Sequence, residues 1–168
     1  DPGGLMALLG EYQSRLVPVI ERHGGSIDKY LGDGILASFG AVTPTASPAA
    51  DALRAMPALL AEAEAWQAER AARGLPAARI GMAMAAGPVL FGIVGHESRL
   101  EYTVIGDAVN LAAKLEKHTK AEGAAALTTA AAYALGLEQG AMPAPGARLL
   151  PGRRVDGLAE PLDLVALG

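Results

Sequence analysis

Apolar and polar residues alternate along the chain in two rhythms. Leu5, Leu8, Leu9, Tyr12, Leu16, Val17 and Ile20 recur at intervals of three and four, the stripe of an amphipathic helix. That stripe stops at His23-Gly24-Gly25, a glycine break that makes His23 a helix-end residue. Two apolar runs over 26–31 and 35–39 flank Gly32-Asp33-Gly34, which predicts a β-hairpin. A Pro/Ser/Thr-rich loop follows over 41–48. An Ala-rich helix is expected over 51–74, with Leu53, Leu59, Leu60 and Trp66, and Pro57 should kink or restart it. Strand alternation returns at 79–86 and again at 89–95, separated by Gly87-Pro88, and His96 to Arg99 reads as a polar loop. Met82 and Met84 read as packing residues.

The pattern is most specific at residues 100–116, LEYTVIGDAVNLAAKLE. Leu100, Tyr102, Val104 and Ile105 form a short strand pattern, and Ala108, Val109, Leu111, Ala112, Ala113 and Leu115 fall at helical spacing. Between them Gly106 permits close backbone approach and Asp107 is placed to cap the helix. Asn110 and Lys114 lie one helical turn apart on the same face. An amide and a cation beside a helix start can hold a phosphate chain. The same pair also fits a polar interruption and a solvated charge. Asp33 is equally two-sided: a hairpin tip offers a carboxylate to a hard cation, and Asp-Gly is also simply a good turn. Beyond residue 116, Lys117, His118 and Lys120 are cations at a helix C-terminus. A strand over 124–129, a short helix over 130–135, and closing strands over 148–155 and 162–167, with a turn at Asp156-Gly157, complete the prediction. Strands gathered in hairpins among helices give an α+β class with one main sheet.

Composition narrows the options. A length of 168 residues suits one core, and one domain is expected over 1–168. Aromatics make up only 4% of residues, so the core must be built from Ala, Leu, Val and Ile. A net charge of −4 without any Lys/Arg run argues against nucleic acid and anionic lipid as partners. The lack of cysteine excludes disulfides and thiolate metal sites and fits a reducing, cytoplasmic setting. No apolar run approaches the ~20 residues of a membrane span, and no signal-peptide pattern opens the chain. Direct membrane contact by this segment is therefore not expected, although a parent chain can be tethered elsewhere.

Taken together, GGSIDKYLGDGILASFG, GPVLFGIVG and EYTVIGDAVNLAAKLE resemble, in order and separation, the class III adenylate/guanylate cyclase catalytic domain. The wording is most similar to the bacterial branch that carries Thr in place of a base-recognising Asp. The resemblance covers essentially the whole chain. It implies a ferredoxin-like α/β sandwich working as a head-to-tail homodimer with shared active sites. It further implies ATP as substrate, Mg²⁺ or Mn²⁺ as cofactor with two ions per site, and cyclic AMP and pyrophosphate as products. By the same resemblance Asp33 is one of two metal-binding aspartates, and Lys29 donates to a ring nitrogen of adenine. Thr103 is its partner in base recognition, Asn110 orients the ribose, and Lys114 stands where an arginine steadies the transition state. Guanylyl cyclases tend to carry an acidic residue at the position of Lys29, so lysine argues for ATP. Asp33 is expected from one protomer and the other four residues from its partner.

Three departures from the family pattern stand out. The second metal aspartate belongs to an opening strand of the type Phe-x-Asp-Ile, expected ahead of the first helix. Asp1 is too close to that helix to serve, so this strand is expected to lie outside the 168 residues. Lys114 keeps the charge of the usual arginine without its planar fork, which predicts low turnover. Finally, Asp156 aligns with a phosphate-contacting lysine, with Arg153 and Arg154 as nearby substitutes. These departures define an alternative: a degenerate cyclase-like domain that binds nucleotide or a partner and regulates without turnover. A diguanylate cyclase is set aside for want of a GG[DE]EF-type run.

Overall fold

Asp1 starts helix α1 (Pro2–Arg22) by accepting a hydrogen bond from the Gly3 amide at 3.2 Å, ahead of Pro2, whose missing N–H is no loss in a first turn. The computed structural model describes residues 1–168. At the other end of α1 the His23 Nδ1 donates to the Val19 carbonyl at 2.8 Å, the helix-end role expected of it. Strands β1 (Ser26–Leu31) and β2 (Gly34–Ser38) pair antiparallel through a turn at Gly32-Asp33, where Gly32 adopts φ +59°. Register shifts by one residue between Ile27 and Lys29, so Asp28 sits in a bulge.

Helix α2 (Pro48–Ala72) starts earlier than expected and runs without interruption through Pro57. The predicted restart at Pro57 does not occur. Alanine-rich flanks with high helix propensity and the burial of Leu53, Met56, Ala63 and Trp66 along the same helix outweigh one missing donor. Polar contacts fasten α2 to α1: the Trp66 indole donates to Glu11 at 3.1 Å, and Arg15 meets Glu62 at 2.8 Å and Glu69 at 2.9 Å. The indole hydrogen bond, helped by Arg73 and Arg70, holds the Glu11 carboxyl below its ordinary pKa.

The remaining elements are β3 (Met82–Met84), β4 (Leu90–His96), β5 (Arg99–Ile105), α3 (Asp107–Glu122), β6 (Ala126–Thr129), α4 (Ala130–Glu138), β7 (Arg148–Arg153) and β8 (Leu162–Ala166). The expected strand over 79–86 shrinks to three residues, and Arg79 ahead of it donates to Thr119 Oγ1 of α3 and to the Ala124 carbonyl, each at 3.2 Å. His96 and Arg99 prove to be paired strand ends around a two-residue turn, not a loop.

The strands form three sheets and not one: β3-β6-β8-β7, the β1-β2 hairpin and the β4-β5 hairpin. Only β3 and β6 run parallel; β8 pairs antiparallel with both β6 and β7. β2 pairs with β1 alone and β3 with β6 alone, so no strand bridges them and a single main sheet does not form. Alternating residues of the four-stranded sheet divide the core in two. Val165 and Met84 pack with Leu53 and Met56 of α2 and Ala132 of α4. Leu127, Leu150 and Leu164 pack with Leu115 of α3. No helix is long and apolar enough to cross a membrane.

Candidate active site

The bulge in β1 is the starting point. An extra residue in one strand turns a side chain out of the regular alternation, and here that residue is Asp28. Its side chain is 2% exposed and reaches β5. One carboxylate oxygen accepts the Val104 amide at 3.1 Å, and the other accepts the Thr103 hydroxyl at 3.2 Å. A buried carboxylate is tolerable only when so satisfied. Lys29 completes the cluster: its Nζ donates to Thr103 Oγ1 at 2.7 Å and lies 3.7 Å from Asp28. Thr103 itself is buried, whereas Lys29 keeps about a third of its side chain exposed, at 38%. Lys29 and Thr103, 74 residues apart, are thus brought into direct contact. Asp28 was missed at the level of sequence. A carboxylate beside a lysine on a strand is unremarkable until a bulge turns it inward.

The other candidates are not gathered in this way. Asn110 is exposed on the first turns of α3 and its side chain makes no hydrogen bond. Lys114, one turn further on, donates from Nζ to the Gly157 carbonyl at 3.1 Å, in the connection between β7 and β8. Gly157 has φ +87°, and a Cβ there would lie 3.1 Å from Lys114 Cε, so this approach favours glycine. Asp107 does not cap α3. The N-cap is Gly106 with no side-chain bond, and Asp107 contributes only an acidic charge in the first turn. A Cβ at Gly106 would lie 2.7 Å from the Pro88 carbonyl, so the glycine is needed for close packing against the chain before β4.

Asp33 lies exposed at the β1-β2 tip, with neither hydrogen bond nor ion pair. Its charge is felt at Tyr12, whose phenol is pushed up to about 12 by burial first and then by Asp33 and Glu116. A free carboxylate at a hairpin tip suits a divalent cation as one ligand. No group of three or more His, Asp or Glu converges there, so Asp33 alone does not make a complete site for two ions. Arg153 is engaged by Glu122 at 3.2 Å, next to the His118–Glu122 pair at 2.8 Å, whereas Arg154 makes no ion pair.

The β4-β5 hairpin stands out for exposure. Leu90 is 75% and Tyr102 64% exposed, and Phe91, Ile93 and Leu100 are exposed with them. The Phe91 and Tyr102 rings stack on this surface, 5.8 Å between centroids.

Comparison with known proteins supplies the frame for these features. The family described as the adenylate and guanylate cyclase catalytic domain matches residues 1–154. Adenylate cyclase 1 of Rhizobium meliloti is 33% identical over 134 residues, 80% of this chain and 20% of that protein. An adenylate cyclase of Anabaena cylindrica is 35% identical over 133 residues, 77% of this chain and 26% of that protein. The chain thus spans about a quarter or less of the length of these relatives. Among solved structures, the adenylyl cyclase CyaB from P. aeruginosa superposes with a TM-score of 0.82 at 24% identity, covering 100% of this chain and 84% of that one. The guanylyl cyclase Cya2 gives 0.77 at 24% identity, covering 99% and 81%. These last two likenesses establish the fold, an α+β arrangement of the nucleotide cyclase type.

Proposed function

This chain belongs to the adenylate and guanylate cyclase catalytic domain family, and from that premise we propose that it is an adenylate cyclase domain converting ATP to 3′,5′-cyclic AMP and pyrophosphate. The observation that carries the choice of ATP is the Lys29–Thr103 contact at 2.7 Å, anchored by buried Asp28. A lysine donor beside a hydroxyl suits the ring nitrogen and the exocyclic amine of adenine. The relatives named adenylate cyclase support the same choice.

In the proposed reaction the ribose 3′-oxygen forms a bond to the α-phosphorus, the bond from that phosphorus to the bridging oxygen breaks, and the hydroxyl proton passes to solvent. Asn110, exposed on α3, orients the ribose and thereby lowers the orientational cost of ring closure. Lys114 places positive charge where the phosphate oxygens gain negative charge. Asp33 is the ligand this chain offers to a divalent cation, which when bound offsets phosphate charge. Two ions require a second carboxylate, and β2 and β3 each keep one edge without a strand partner.

Two copies are proposed to share each site, Asp33 from one and Lys29, Thr103, Asn110 and Lys114 from the other. The exposed apolar hairpin supports this, since a contiguous patch of that kind is typical of an interface. The competing reading, a regulatory domain without turnover, draws on Lys114 being held by the Gly157 carbonyl. The test is cyclic AMP formation by the native-length protein with ATP and Mn²⁺. Product well above that of an Asp33→Ala control is expected, and product no higher than the control favours the regulatory reading.

A further inference from the structure

We infer that Asp28 is a specificity-determining positioning residue that fixes the Thr103 hydroxyl as an acceptor facing the base. The inference rests on the adenine-reading assignment above. A hydroxyl has one hydrogen and two lone pairs. Asp28 Oδ2 can only accept, so at 3.2 Å it takes the Thr103 hydrogen. Lys29 can only donate, so at 2.7 Å it occupies one lone pair of Thr103. What remains on Thr103 is a single lone pair.

Asp28 cannot turn away from this duty. Its other oxygen is held by the Val104 amide at 3.1 Å, and its side chain is 2% exposed. Thr103 is itself 4% exposed, so its bond to Asp28 is shielded from water, while the Lys29 side chain beside it is 38% exposed and marks the open side of the cluster. The cluster therefore meets a base with an acceptor from Thr103 and the spare hydrogens of the Lys29 ammonium. Adenine matches that pattern with an amine donor beside a ring-nitrogen acceptor. Guanine presents an oxygen acceptor and a ring N–H in the reversed order, setting lone pair against lone pair at Thr103 and hydrogen against hydrogen at Lys29. A neutral hydroxyl is thus made to act as a carboxylate would, and the information resides in a residue that never touches the nucleotide.

The experiment compares ATP, GTP and the triphosphate of unsubstituted purine riboside, which lacks the amine, on the native-length protein and on Asp28→Asn. In the variant the amide carbonyl still accepts the Val104 N–H, while its NH₂ now faces Thr103 and turns the hydroxyl hydrogen toward the base. The ATP-over-GTP ratio of kcat/KM should fall by about tenfold or more, the scale of one buried hydrogen bond. The preference for ATP over the purine analogue should disappear. If Asp28→Asn does not fold, as judged by circular dichroism, Asp28→Ala, which removes the acceptor and frees the hydroxyl to point either way, should lower the ratio in the same direction by a smaller factor. Adding Thr103→Asp to the Asp28→Asn background supplies an acceptor outright and should restore the ratio. Equal slowing of all three nucleotides with unchanged ratios would overturn the role of Asp28 and leave the cyclase reading standing. A wild-type protein without preference for ATP would overturn that reading, and this inference with it.

Discussion

The two ends of the candidate site are built differently. At the end proposed to read the base, Lys29 and Thr103 are joined directly and locked by a buried carboxylate. At the phosphate end, Asp33 and Asn110 are exposed without partners, and Lys114 is attached to a loop carbonyl. The first end is complete within one chain. The second consists of separate polar side chains, two of them charged, that no contact within the chain brings together. On the proposed function, selectivity is set before binding, whereas turnover depends on assembly.

That contrast is broken most severely by Lys29→Glu. Replacing the donor by an acceptor beside Asp28 sets two carboxylates against each other, and the ATP-over-GTP ratio should drop by roughly a hundredfold, the equivalent of two hydrogen bonds to the base. Paired kinetics with both nucleotides measure this, and an unchanged ratio removes Lys29 from base recognition. Lys114→Arg acts on the other end. A planar fork suits phosphate oxygens better than a point charge, so kcat should rise severalfold with no change in nucleotide preference. A fall in kcat would mean that the Gly157 contact, made here by a lysine, is itself required.

The smallest expected effect comes from Gly157→Ala. The new Cβ meets the lysine stem at 3.1 Å and the backbone is held at φ +87°, a conformation costing about 1 kcal/mol for alanine. Turnover should fall a few-fold as Lys114 shifts, with the melting temperature lowered by a few degrees and the ATP-over-GTP ratio intact. A changed ratio would show that the two ends are coupled and not independent.

Local patterns carried much of this from the residues alone. The β1-β2 hairpin at Gly32-Asp33 and the strand-Gly-helix of β5 and α3 depend on turn chemistry and periodicity within a few residues, and both form as expected. The pairing of Lys29 with Thr103 followed from family resemblance, since nothing local links positions 74 apart. What could not be read was long-range. Asp28 needs a bulge and a second strand to acquire its role. The Lys114–Gly157 bond joins residues 43 apart. The unbroken α2 depends on packing that overrides Pro57, and the division into three sheets depends on which edges find partners.

Complementation between protomers tests the shared site most directly. Asp33→Ala and Asn110→Ala each remove one half of the site, and each variant alone should be inactive. Coexpressed, half the dimers are mixed, and each mixed dimer holds one intact site of two, so cyclic AMP formation should return to about a quarter of wild type. A mixture no more active than its separate components, from proteins shown to exchange subunits, would contradict a site built from two copies of this chain.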